Sequence, residues 1–79
     1  MTEKEIQMLG FERVDGNDYP EFYYYFYEVC DGLSFISCAD TDVKEGEWYI
    51  EVFNTEPSIR FHKMEKVQSL INTLEKAKV

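Results

Sequence analysis

The segment YPEFYYYFYEV, residues 19–29, sets seven aromatic side chains within nine positions, from Tyr19 to Tyr27. Aromatic residues favour strands, and successive strand residues point to opposite faces of a sheet. Phe22, Tyr24 and Phe26 therefore share one face, and Tyr23, Tyr25 and Tyr27 share the other. A chain of 79 residues builds one domain, here residues 1–79, and buries only about 60% of its unfolded surface. One helical layer covers one sheet face. The fold is then constrained by what meets the other.

The remaining elements follow from local signals. Thr2-x-x-Glu5 has capping-box spacing, and Gly10 suits the left-handed residue that ends a helix, which predicts a short helix over about 3–9. Phe11–Val14 reads as a strand. Gly16, Asn17 and Asp18 are turn residues, with Pro20 restricting the chain beyond them. Phe22–Val29 is a strand, Asp31-Gly32 a two-residue hairpin turn, and Leu33–Cys38 the returning strand. Residues 39–47 read as a polar loop, Trp48–Phe53 as a strand, Asn54–Ser58 as a turn and Ile59–Phe61 as a short edge strand. Met64, Val67, Leu70, Ile71, Leu74 and Ala77 repeat at the spacing of one apolar helical stripe. The expected fold is α+β: an antiparallel meander of four to five strands, a C-terminal amphipathic helix on one face and a short N-terminal helix.

A two-residue loop at Asp31-Gly32 pairs Cys30 with Leu33, Glu28 with Phe35, Tyr27 with Ile36 and Tyr25 with Cys38. In that register Cys30 and Cys38 lie on opposite faces and do not form a disulfide. One face carries Tyr23, Tyr25, Tyr27, Val29, Ile36 and Cys38; the other carries Phe22, Tyr24, Phe26, Glu28, Phe35 and Ser37. Glu is almost never fully buried without a partner, so Glu28 turns its face outward. The helix is expected on Tyr23, Tyr25, Tyr27, Val29, Ile36, Trp48, Ile50 and Val52. Phe22, Tyr24, Phe26, Glu28, Phe35, Tyr49, Glu51 and Phe53 are left on the outer face as candidate partner-binding residues. Six aromatics there expose on the order of 600 Å², at the upper end for the largest apolar patch of a monomer. The N-terminal helix, a second copy or a foreign partner are the three available covers.

The net charge is −8. Residues 1–56 hold 14 acidic and 3 basic side chains, and residues 57–79 hold 2 acidic and 5 basic. An acidic body argues against direct nucleic-acid binding, which needs clustered Lys and Arg, and suits a basic partner. No run approaches the ~20 apolar residues of a membrane helix. MTEKEIQML lacks the basic flank and apolar core of a signal peptide, so a cytoplasmic protein with reduced cysteines is expected. His62, the single histidine, sits at the start of the second helix and suits a boundary role. Asp40, Asp42, Glu45 and Glu47 crowd one loop, but their spacing does not match a calcium-binding loop. No motif for a nucleophile, phosphate loop, metal or cofactor is present, and no enzyme activity is expected.

The segments FYYYFYEVCDGLSFISCAD, EWYIEVFNTEPSIRF and VQSLINTLEKA together resemble small acidic α+β proteins of bacteriophages and mobile elements. The resemblance is one of layout and aromatic pattern and carries no catalytic residues. It implies a protein that binds a host protein, with inhibition of a nucleic-acid-binding partner by acidic mimicry as a specific form. Two functional expectations result. The first is a non-catalytic protein-binding module that uses its outer aromatic face. The second is a structural homodimer packed through that same face.

Overall fold

The computed structural model describes residues 1–15 and 22–78. The turn expected at Gly16, Asn17, Asp18 and Pro20 lies outside the described residues, as does Tyr19. The elements are α1 (Glu3–Met8), β1 (Glu12–Asp15), β2 (Tyr23–Cys30), β3 (Leu33–Ser37), a 3₁₀ turn (Asp40–Asp42), β4 (Ile50–Val52), β5 (Arg60–Phe61) and α2 (Met64–Ala77). The strands form one antiparallel meander in the order β1-β2-β3-β4-β5. The α+β fold expected from the sequence is the fold observed.

Local chemistry accounts for the helix ends. The Thr2 hydroxyl accepts the Glu5 N–H at 3.2 Å, and the Glu5 carboxylate accepts the Thr2 N–H at 2.8 Å. Both donors would otherwise be orphans of the first turn. Gly10 has φ 95° and lets the chain turn out of α1 into β1. The N-cap of α2 is Lys63, which makes no side-chain cap. His62, expected to mark that boundary, instead offers its carbonyl oxygen to the Met1 ammonium at 2.9 Å. The same ammonium donates to the Trp48 carbonyl and the Glu47 carboxylate, both at 3.1 Å.

Both helices pack on one face of the sheet. Ile6 and Leu9 of the N-terminal segment join Val67 and Ile71 of α2 in a single core with Phe11, Tyr25, Val29, Phe35, Trp48 and Ile50. Tyrosine hydroxyls anchor the helices to β2. Tyr23 and Tyr25 both donate to the Glu3 carboxylate, at 2.9 and 2.7 Å, and Gln7 donates to the Tyr25 oxygen at 2.9 Å. Tyr27 donates to Glu75 of α2 at 3.2 Å. The N-terminal helix therefore does not lie over the outer face, which removes one of the three covers expected for it.

One expectation of register is overturned. Cys30 does pair with Leu33, but a bulge between Glu28 and Cys30 then sets Glu28 opposite Ser34, Tyr27 opposite Phe35 and Phe26 opposite Ile36. The reason lies in the turn. A type I′ hairpin needs positive φ at both central residues, and of Asp31 and Gly32 only Gly32 has it, at 86°. The chain takes up one extra residue instead, and a slip of one residue exchanges the faces of the whole strand. Phe35, expected among the outer partner-binding residues, is fully buried beneath the helices. Ile36, expected in the core, moves outward beside Phe26. Ser37 turns inward and is satisfied there: its hydroxyl accepts the Tyr25 N–H and donates to the Cys38 carbonyl, both at 2.8 Å. A turn with positive φ at both positions does occur, at Glu45 and Gly46 with φ 56° and 75°. It lies inside the segment read as a polar loop and closes the Lys44–Glu47 bridge.

The tyrosine anchors make the fold alkali-sensitive. The pKa of Tyr23 is raised by its bond to Glu3 and by burial. Those of Tyr25 and Tyr27 are raised by burial and by the carboxylates they contact. Each neutral hydroxyl is favoured by the folded state over the unfolded one. Their stabilisation is thus fully present below the unfolded tyrosine value of about 10 and is lost as pH rises through the higher folded values. Ultraviolet phenolate titration is expected to show these tyrosines ionising later in the folded protein than in urea. Denaturant midpoints are expected to fall above pH 10. Coincident titrations in the two states would contradict the network.

Candidate protein-binding surface

The outer face is assembled from three adjacent strands. Phe26 of β2, Ile36 of β3 and Glu51 of β4 form one cross-strand row. Tyr24 and Glu28 lie two residues to either side of Phe26, and Phe53 follows β4. Phe53 is 53% exposed and meets Phe26 edge to face, with ring centroids 6.3 Å apart. Phe22, Tyr24, Phe26, Ile36 and Tyr49 are each partly exposed, and Glu28 is exposed. The rings shield one another, so the apolar surface is less than the sum of isolated side chains. Among the described residues both helices sit on the opposite face.

Charge is arranged unevenly across this surface. Glu51 is taken by Arg60 of the neighbouring strand, Nε to carboxylate 2.6 Å. The Arg60 guanidinium also lies over the Tyr49 ring, 4.6 Å from its centre, and the Glu51 bond together with Tyr49 holds its pKa up. The Tyr49 hydroxyl is itself raised by burial, with Arg60 pulling the other way. The His62 ring lies 5.9 Å from the Tyr49 ring, centroid to centroid. Glu28 has no ion-pair partner among the described residues. Guanidinium on an aromatic ring with a carboxylate beside it is the chemistry by which Arg is recognised, and here the chain supplies its own example.

Of the eight outer-face residues expected from sequence, Tyr24, Phe26, Glu28, Glu51 and Phe53 lie there; Phe22 precedes β2, and Tyr49 precedes β4 and packs in part against the core. Phe35 does not lie there. Sequence reasoning missed Ile36, and it read Arg60 only as part of a basic group with Lys63 and Lys66 that meets an anion or balances nearby carboxylates, without a place on this face. The strand Leu33-Ser34-Phe35 held a signal for the first, since its own alternation puts Leu33 and Phe35 together on the apolar side. Arg60 became legible only once β5 was seen to pair with β4, opposite Glu51.

Two clefts flank the sheet. One, of about 530 Å³, is lined by Gly10, Glu12, Phe26, Tyr27, Glu28, Glu75 and Lys78. The other, of about 490 Å³, is lined by Asp42, Lys44, Glu47, Tyr49, Arg60 and His62. Both cysteines are free thiols. Cys38 is buried, and that burial pushes its thiol pKa up, away from nucleophilic use. Among the described residues no three His, Cys, Asp or Glu side chains are grouped to hold a metal ion. No helix among them is long and apolar enough to cross a membrane. Compared with protein-family models, with curated proteins and with solved structures, the chain matches none.

Proposed function

We propose that this chain is a non-catalytic protein-binding module whose outer sheet face receives an arginine-rich protein partner. The observation that carries this reading is the placement of both helices on one face, which leaves Tyr24, Phe26, Ile36 and Phe53 exposed in part beside an exposed Glu28. Aromatic anchors at the centre of a patch are where binding energy concentrates. The Arg60–Tyr49–Glu51 group supports arginine as the complement. A foreign basic partner is favoured over a second copy because each copy carries −8. Stacking two of these faces would also bring two Glu28 side chains, neither with an ion-pair partner among the described residues, into a shared interface. The more specific form is inhibition of a nucleic-acid-binding protein by acidic mimicry.

A photo-crosslinking residue at Phe53 is expected to capture the partner, and the same residue at Asn72, exposed on α2, is expected to capture nothing. Crosslinks from position 72 and none from 53 would overturn the reading. With the partner in hand, the double change Tyr24→Ser and Phe53→Ser should weaken binding at least tenfold, about 1.4 kcal/mol, without unfolding the domain. Acidic mimicry adds a steep loss of affinity with salt. Salt-insensitive binding assigns the energy to the aromatic rings instead.

A further inference from the structure

β1 is shorter than the strand it pairs with. Its four residues, Glu12–Asp15, cover only Tyr23–Phe26 of β2. At Gly10 the chain leaves the sheet for α1, and the Gly10 N–H is already committed to the Gln7 carbonyl at 3.1 Å. The β1 side of Tyr27–Cys30 therefore has no strand beside it among the described residues. At about 3.4 Å per residue this is an open edge some 13 Å long.

The direction of the backbone groups follows from alternation. The Tyr25 N–H points toward β3, where it meets the Ser37 hydroxyl. Residues of the other parity point toward β1, and Phe26 there faces Glu12. Two residues on, Glu28 directs its N–H and C=O into the space where β1 would have continued. That space is the cleft of about 530 Å³ bounded by Gly10, Glu12, Phe26, Glu28, Glu75 and Lys78.

We propose that this cleft takes a short extended segment of a partner protein, bearing Arg or Lys on alternate residues, as an added strand against the Glu28 edge of β2. Main-chain pairing supplies affinity in such strand addition, and pockets for alternate side chains supply selectivity. The selectivity here is one of charge. Glu75 and Lys78 neutralise each other at 3.0 Å, which leaves Glu12 and Glu28, both exposed and neither with an ion-pair partner among the described residues. They lie on the outer side of the sheet, where alternate side chains of an added strand would pass. Opposite charges on neighbouring strands stabilise pairing and like charges oppose it. The same two carboxylates reject the chain's own acidic edge, Glu12-Arg13-Val14-Asp15, and so protect the open edge from self-association. This site lies beside the outer aromatic face and does not depend on that face being a binding surface.

The probes are three capped octapeptides: one alternating arginine and threonine, one alternating glutamate and threonine, and one with proline replacing each threonine of the first. The arginine–threonine peptide is expected to bind, to slow hydrogen exchange at the Glu28 amide at least tenfold, and to bind at least tenfold more tightly than the other two. The double change Glu12→Lys and Glu28→Lys, at exposed positions, should invert the preference toward the glutamate peptide. The Tyr24→Ser and Phe53→Ser variant should retain the binding. Equal affinity of the proline peptide would reduce the effect to charge attraction and overturn strand addition, as would binding with no protection at Glu28. No binding at about 1 mM, a dissociation constant weaker than about 4 kcal/mol of free energy provides, would also overturn it. Loss of binding in the Tyr24→Ser and Phe53→Ser variant would place the peptide on the aromatic face, overturning the edge site while leaving the outer-face reading intact.

Discussion

Phe35→Ala should unfold most of the protein or bring it close to unfolding. Phe35 is fully buried, at the centre of β3 between Tyr27 and Val52 of its neighbours. Truncating a buried Phe costs about 3–5 kcal/mol, through lost transfer energy and the cavity left behind. A domain this small has a total stability near the low end of about 5–15 kcal/mol. The urea midpoint should therefore fall sharply or vanish. Ile36→Ala, one residue along and on the outer face, should cost less than half as much. In the register read from Asp31-Gly32 as a two-residue turn, the order of these two variants would be reversed. Their comparison decides the register without a structure.

The same pair of residues shows where sequence reasoning succeeded and where it stopped. Strand and helix identities were legible because aromatic content, capping chemistry and the α2 stripe each act locally. The face of β2 was also legible: Glu28 could not be buried, and that single charge assigned Tyr23, Tyr25 and Tyr27 to the core. The face of β3 was not, because it depended on the backbone conformation of one residue. Asp-Gly is compatible with a two-residue turn and with a turn that carries a bulge, and the choice moves Phe35 and Ile36 across the sheet. The side taken by α1 was illegible for a different reason. Ile6 and Leu9 show that the helix packs on something apolar, and both sheet faces are apolar. On the inner face Glu3 and Gln7 meet the Tyr23 and Tyr25 hydroxyls, a long-range match between polar groups that no periodicity displays.

Ile6→Ala should be the second large loss, about 2–5 kcal/mol. Ile6 is fully buried, and it holds a helix of only six residues, too short to persist without packing. Its removal should free α1 and with it the acceptor of two tyrosine hydroxyls. Denaturant unfolding measures the loss. Hydrogen exchange should show α1 amides opening well before those of β2 and β3. A change below about 0.5 kcal/mol would mean that α1 is not docked on the inner face, and would return it as a cover for the outer aromatics.

With α1 on the inner face, a partner and a second copy remain of the three covers expected for the outer surface, and the mass of the protein in solution separates the two. Light scattering behind size-exclusion chromatography, over a hundredfold range of concentration, is expected to give a monomer throughout. A persistent dimer that Phe53→Glu converts to a folded monomer would show a second copy covering the aromatic face, and would contradict the account of this protein as a module awaiting a basic partner.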